Sequence, residues 1–592
     1  MSNVNDGNIA PRRELVEAAR GDRPLDLVIS DGDLLNVYTG ETYPADIGIF
    51  GDRIAVVDRG RQWGLVGAAE IDARGLTAIP GFVDTHVHIE STMVTPPNFA
   101  RGVLPFGTTT VVIDPHEIGN VSGLAGVEWM LRASEGLPLR VYVTVPSSVP
   151  AVPSLETAGA TFEAAEVAAM LRWPRVLGVA ELMDYPGVVR QEPRTAAIVE
   201  AGLVSGKTLE GHCPLLAGRE LVAYLAAGVD SDHECRSAAE MIDKLRAGMW
   251  VYGRENTFRH TAAFLAEALR AVPLPWNAAL CTDDIEPDDL LRNGHMDRGV
   301  RVLIERGIDP ALAIRIATLN GAIRYGLRDL GAIAAGKLAD IVLVESLAAP
   351  RAAVVLAGGQ IVARDGVLVA EFADPAPPPA ENSVRIGPID AAAFRPTGSG
   401  SDGPVTLPVI AMDPNRTTTL AEVTLRFADG ALAEPLPADL VLLSVVPRHG
   451  QAHPPTLALL RGLPLSDGAL ATTVAHDSHN LIVAGRTPED MTAAVRAVAA
   501  LGGGAALVRD GVVLASVRLP IGGLMSTEPV AAIAAEVRTF NDCARTIGLS
   551  GPSPILAISS LGLPVAPFYR LTDLGLVDTL RQEFVPSPLI VR

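Results

Sequence analysis

The chain is poor in cysteine and in positive charge, and it has no long apolar run. Four cysteines occur in 592 residues, Cys213, Cys235, Cys281 and Cys543, and none stands in a CxxC pair. That spacing excludes a disulfide framework and a thiolate zinc site, and it fits free thiols in a reducing compartment. Lys and Arg total 48 against 68 for Asp and Glu, a formal net charge of -20. Phosphate backbones and anionic bilayers select positive surface, so neither nucleic acid nor membrane is expected as a partner. No apolar run approaches the ~20 residues of a membrane helix, and the polar first residues carry no apolar leader core. A soluble, cytoplasmic protein is expected.

What is present is foldable. The hydrophobic share is 48% and the charged share 20%, the balance of a globular chain. At roughly 150 residues per domain the length suggests three to four domains. Residues 1–23 read as an N-terminal helical extension, with Leu15, Val16 and Ala19 on one side. Residues 24–80 hold short apolar runs, Leu25–Ile29, Gly32–Val37, Asp46–Phe50 and Arg53–Val57, separated by Asp-Gly, Thr-Gly and Gly-Asp pairs, a meander of small strands. Residues 81–330 change rhythm. Apolar runs before His86 and at Thr108–Ile113, Arg140–Val145, Val176–Ala180, Thr208–Gly211, Gly228–Ser231, Met249–Tyr252 and Ala278–Cys281 alternate with helix-length segments such as Thr161–Arg172 and Thr261–Arg270. Repeated βα units imply a parallel sheet, and the span is close to the ~250 residues of a (β/α)8 barrel. An open doubly wound sheet is the alternative, but no Gly-rich phosphate loop accompanies it here.

Strand-like runs return over 331–372, at Leu338–Val344, Ala353–Ala357 and Gln360–Ala363, and are expected to complete the small sheet begun at residue 25. Residues 373–404, rich in Pro, Gly and Ser, read as a linker. Residues 405–592, with a helical stretch at Pro488–Ala500 and a turn at Gly502–Gly504, read as a separate α+β domain. The fold class expected is therefore α/β: a (β/α)8 TIM-type barrel inserted in a small β-sandwich domain, with a C-terminal α+β domain.

One constellation carries chemistry. Asp84-Thr85-His86-Val87-His88 follows an apolar strand. Residues two apart in a strand share a face, so His86 and His88 can present two imidazoles to one ion. Glu181, His212, His233 and the pair Asp283-Asp284 fall at the C-terminal ends of later predicted strands, which in a barrel converge on the active-site face. Four imidazoles and two carboxylates suffice for two divalent ions, with one carboxylate bridging. His/carboxylate ligation suits Mn, Fe(II) and Zn alike.

The order of motifs resembles the amidohydrolase superfamily and, within it, the adenine deaminase family. PGFVDTHVHIESTMVTP, TTTVVIDPHEIGNV, VLGVAELMDYPGV, EGHCP, DHE and CTDD match the barrel motifs in order; TVAHDSHNLIVAG and LPIGGLMS resemble the C-terminal domain of that family. The resemblance implies that His86 and His88 bind one metal, that His212 and His233 bind the other, and that Glu181 bridges them. Asp283 is the remaining ligand chosen, with Asp284 the runner-up, because adjacent strand residues point opposite ways. The activity implied is hydrolytic deamination of adenine to hypoxanthine and ammonia. The metals lower the pKa of a shared water, Asp283 carries its proton, and a donor protonates the purine ring nitrogen. Glu117 is the candidate donor and Glu90 the second; His116, Glu90, Ser91 and Asp284 are expected against the substrate. His476, Asp477 and His479 are expected either to close the pocket or bind an ion, or to form a turn network. The HxE…PCxxC zinc signature of nucleic-acid-editing deaminases is absent.

Two departures bear on substrate. Tyr252–Thr257 (YGRENT) replaces an IREGS-like run, and the segment after Arg448-His449-Gly450 is atypical. Alternatives are thus a deaminase of N6-substituted adenine, a cyclic-amide hydrolase, or a metal-free structural relative. A homodimer is the expected assembly, as the commonest closed one.

Overall fold

The computed structural model describes residues 12–373, 383–397, 402–414 and 416–587. The beginning of the N-terminal extension, residues 1–11, lies outside them. Arg12–Arg20 forms helix α1, which lays Leu15 and Ala18 against Leu25, Val28 and Val56.

Strand β1 (Leu25–Asn36) is one continuous strand. The Asp31-Gly32 pair, expected to separate two strands, instead lies in a bulge between Ile29 and Gly32, with Asp31 at φ 62°. The extra residue is absorbed by a kink, so apolar positions on both sides stay on the core. β1 pairs antiparallel with β2 (Glu41–Phe50), and β2 with β3 (Arg53–Arg59). β4 (Gly67–Asp72) and β5 (Thr77–Pro80) run parallel to β1.

A curled parallel sheet follows. Strands β6 (Phe82–Val87), β7 (Thr108–Ile113), β8 (Arg140–Val145), β9 (Val176–Leu182) and β10 (Thr208–Gly211) pair in order. So do β11 (Ser231–Asp232), β12 (Trp250–Arg254) and β13 (Ala278–Cys281). The curl brings the last strand back to the first. Val87 bridges Asp283 in parallel, the Asp283 N–H donates to the His86 carbonyl at 2.9 Å, and the His88 N–H donates to the Asp283 carbonyl at 3.2 Å. Every residue of β6, β7, β12 and β13 is buried, as a parallel sheet covered by helices requires. The strand expected at Gly228–Ser231 starts later. Gly228, at φ 99°, instead receives the end of helix Gly218–Ala226 by donating to the Leu225 carbonyl.

β14 (Ile341–Val344), β15 (Ala352–Ala357), β16 (Gln360–Arg364) and β17 (Val367–Leu368) then join the first sheet, β14 lying antiparallel to β5. The segments flanking the parallel region thus share one nine-stranded sheet, order β17-β16-β15-β14-β5-β1-β2-β3 with β4 beside β1. Leu34, Ile47, Ile341 and Leu356 bury its core.

Much of the expected linker lies outside the described residues. Within residues 383–397, Phe394 is fully buried with Leu407 and Val409. Beyond it, a second nine-stranded sheet extends from Gly403 to Arg518. Helix Pro488–Leu501 covers it, started by Thr487 capping the Asp490 N–H and stopped by Gly502 at φ 77°. This unit docks on the parallel sheet's loops. The Asn98 side-chain amide donates to the Thr527 and Glu528 carbonyls at 2.9 Å each, and that of Asn480 donates to the Thr157 carbonyl at 2.7 Å. That docking carries residues 473–480 over the C-terminal ends of the parallel strands. No helix among the described residues is long and apolar enough to cross a membrane.

Candidate metal centre

The centre is organised by Glu181, which leaves β9 near its end with both oxygens engaged. Oε1 faces His86 Nε2 at 3.7 Å, His88 Nε2 at 3.4 Å and His116 Nδ1 at 3.6 Å. Oε2 faces His212 Nδ1 at 2.6 Å and His233 Nε2 at 3.2 Å. The two oxygens therefore divide four strand-end imidazoles into two sets, His86 with His88 and His212 with His233. Burial pushes Glu181 up, but the His212 and His233 rings outweigh it and hold the carboxyl well below its usual range.

Asp283 Oδ1 lies 3.5 Å from His86 Nε2 and 3.2 Å from His88 Nε2. Burial opposes its charge, while the Arg254 guanidinium on Oδ2 and the two imidazoles hold it well below the carboxylate range. Arg254 also pairs with Glu234. The divergence of Asp283 from Asp284 does not come from strand alternation. β13 ends at Cys281, and Asp283 adopts a left-handed φ of 58°, tolerated by Asp and held by its two main-chain bonds to His86 and His88. Asp284 instead accepts from Ser91 Oγ at 2.6 Å.

The donor set fits divalent ions. His86 Nε2 is buried without a hydrogen-bond partner, as a nitrogen reserved for a ligand would be. His88 Nδ1 meets the Asp114 carbonyl at 2.9 Å, which assigns its proton there and leaves Nε2 free to ligate. His86, His88 and Asp283, and His86, Glu181 and His233, each bring their donor atoms within 4.8 Å of one another. All are nitrogen and oxygen donors, the ligation of Zn, Mn or Fe rather than of a thiolate site.

A second polar cluster adjoins the first. Glu90 and Glu117 are buried. Burial and the neighbouring Glu117 charge push Glu90 up to about 8, and burial raises Glu117 against the pull of His476 and His88. Ser91 Oγ lies 2.9 Å from Glu117 Oε1 and thus links it to Asp284. From the C-terminal unit, His476 Nδ1 lies 3.7 Å from Glu117 Oε1, and His479 Nε2 3.8 Å from Oε2. Burial would lower His476, but Asp284, Asp477 and Glu117 raise it to about 10.

The sequence-derived residues thus occupy different depths. His88, Glu181, His212, His233, Asp283, Asp284, His116, His476 and Asp477 line a cavity of about 110 Å³. Glu90, Ser91 and Glu117 lie behind its wall. His116 also belongs among the ligand-type donors: Nδ1 is 2.8 Å from Asp114 Oδ2, and Nε2 is 3.6 Å from Asp477 Oδ1. Sequence reasoning passed over Glu234, Arg254 and Asp114. Glu234 follows His233 directly, and Arg254 ends β12, so strand-end position was the signal available.

A curled parallel sheet with imidazoles and carboxylates gathered at its strand ends is the architecture of the amidohydrolases, and residues 77–362 match the Amidohydrolase family. Residues 415–583 match the Adenine deaminase C-terminal domain. Adenine deaminase of Nitratidesulfovibrio vulgaris is 42% identical over 585 residues, covering 96% of this chain and 98% of its own. Adenine deaminase 2 of Rhizobium meliloti is 42% identical over 582 residues, covering 98% of this chain and 97% of its own. The chain belongs to the adenine deaminase family. Among solved structures, a zinc-bound adenosine deaminase from Xanthomonas campestris is similar with a TM-score of 0.45 and 17% identity, over 59% of this chain and 95% of that one.

Proposed function

We propose that this protein deaminates adenine hydrolytically to hypoxanthine and ammonia. The observation that carries the reading is the division of Glu181, one oxygen toward each imidazole set, in a chain 42% identical over nearly its whole length to proteins named adenine deaminase. We read the parallel region 81–330 as a (β/α)8 barrel inserted in a small β-sandwich, 24–80 with 331–372. Residues 1–23 are an extension, 373–404 a linker, and 405–592 a C-terminal domain that closes the pocket. The enzyme is read as a cytoplasmic homodimer, its four cysteines being free.

Two divalent ions, Mn, Fe(II) or Zn, would be held by His86 and His88 on one side, His212 and His233 on the other, with Glu181 between and Asp283 as the remaining ligand. When bound, they supply a water acidified toward neutrality and ready to attack C6. Asp283 accepts the water's proton at Oδ1, while Arg254 holds Oδ2 and fixes the rotamer. The ring nitrogen next to C6 needs a proton as the tetrahedral centre forms. Burial raises the Glu117 pKa against the pull of His476 and His88, which favours its protonated form. A protonated Glu117 donates to Ser91 Oγ, leaving the Ser91 hydroxyl to donate to Asp284. This chain delivers a proton from behind the wall to its surface, where Asp284 and His476 meet the purine; Glu90 is the reserve of the same pair. Steady-state ammonia release from adenine, N6-methyladenine and a hydantoin, with metal content measured, tests the reading. Turnover of adenine far above the other two is expected; turnover of the hydantoin alone would replace it.

A further inference from the structure

The cavity is also lined by guanidinium groups that the deamination of a neutral base does not need. Arg236, Arg259, Arg416 and Arg570 line it together with Ser559 and Ser560, and the charges of the first three all bear on Arg570. They reach it from separate parts of the chain: the loop after β11, the loop after β12, and two segments of the C-terminal unit.

The charges of Arg416 and Arg570 are poorly compensated. Among the described residues, neither Arg416 nor Arg570 forms an ion pair. Arg416 donates to the Leu556 carbonyl at 2.8 Å and stacks 4.1 Å from the Phe258 ring centroid. Arg570, 3% exposed, donates to the Pro567 and Tyr569 carbonyls at 2.7 and 2.9 Å and to Thr418 Oγ1. The Nε–H groups of Arg570 and Arg236 are buried without acceptors. Arg236 does reach Glu234 Oε2 at 3.3 Å, but that carboxylate also serves Arg254. Burial, together with the charges of Arg236, Arg259 and Arg416, lowers Arg570 to about 9. Burial likewise pulls Arg416 down to about 10. Positive charge gathered in a water-poor wall is unfavourable by itself and becomes favourable when an anion joins it. Planar guanidinium forks match carboxylate and phosphate oxygens in pairs.

We propose that Arg236, Arg259, Arg416 and Arg570 form an oxyanion subsite in the catalytic cavity. It takes a phosphate or carboxylate group, carried by an aminopurine whose amino edge faces the metal centre or present as free inorganic phosphate. The substrate-borne source rests on the deaminase reading, whereas binding of free phosphate does not.

The test uses the metal-loaded full chain, wild type and the Arg416→Gln and Arg236→Gln variants, each checked for a native melting temperature. Arg570 is left in place, because its guanidinium also ties down a loop. Inorganic phosphate is titrated calorimetrically at low ionic strength, and kcat/KM is measured for adenine and for adenine bearing an N-linked carboxyalkyl or phosphoryl tail. Loss of one charge-assisted contact should weaken phosphate about tenfold or lower kcat/KM for the tailed purine about tenfold, with adenine itself little changed. A loss confined to phosphate assigns a free-anion site; a loss confined to the tailed purine assigns a substrate anchor. If both folded variants bind phosphate and turn over the tailed purine as wild type does, or if wild type does neither, the subsite is overturned. A wild-type enzyme inactive on adenine but binding phosphate in an Arg416-dependent way would instead sink only the deaminase reading.

Discussion

Asp283 Oδ1 lies 3.2 Å from His88 Nε2, and the same two residues are joined through the main chain, the His88 N–H donating to the Asp283 carbonyl at 3.2 Å. The backbone pairing that closes the last strand on the first therefore also sets the carboxylate against the imidazoles. Side-chain geometry here inherits the rigidity of the sheet, as preorganised catalysis requires.

The metal assignment makes the first prediction. His86→Ala removes a buried imidazole whose Nε2 has no other partner. Metal content by elemental analysis should fall and turnover should nearly vanish, while the circular dichroism spectrum stays native. Full metal with wild-type activity would show that His86 is not a ligand.

Asp283 and Asp284 should separate cleanly. Asp283→Asn removes the proposed ligand and proton carrier, and a loss in kcat of roughly 10³-fold or more is expected from those combined roles. Asp284→Asn keeps an acceptor for Ser91 but interrupts the relay from Glu117, so its loss should be nearer roughly 10²-fold and smaller than that of Asp283→Asn. The opposite ranking in steady-state assays would transfer the catalytic role to Asp284.

Glu117→Gln tests the proton source. Gln preserves shape and a donor but has no proton to give, so kcat should drop by roughly 10²-fold, the scale of general acid catalysis. KM should change less and metal content should stay intact. A near-normal kcat in a fully metallated variant would move the test to Glu90.

Glu286 links pH to stability. It is buried beside Ser553, and burial with the charges of Asp289 and Asp288 pushes it up to about 8. A carboxyl whose folded pKa is raised adds stability at and below its unfolded value near 4.5, and that contribution is lost as pH rises through about 8. Between those limits Glu286 should make urea stability fall by up to about 1.4 kcal/mol per pH unit. Glu286→Gln should flatten that fall; parallel pH profiles for variant and wild type would refute it.

Local periodicity made much of the site legible. A period of two placed His86 and His88 on one face, and β7, β8, β10 and β13 occupy the very residues that their apolar runs marked. Glu181, His212 and His233 were found because strand ends in a parallel α/β sheet point to a common side. Composition alone also carried the surplus of acid and the free cysteines. What tertiary structure decided was everything that depends on distant segments meeting. Asp283 turns to the imidazoles through a left-handed backbone held by His86 and His88, not through strand alternation. Arg254 holds that carboxylate because β12 lies beside β13. His476 approaches Glu117 only because the C-terminal unit docks over the strand ends. Four arginines from separate parts of the chain come to one cavity for the same reason. Apolar period is a property of neighbours along the chain, and it survives in the sequence; charge pairing across a cavity is a property of packing, and only the folded chain brings those groups within reach.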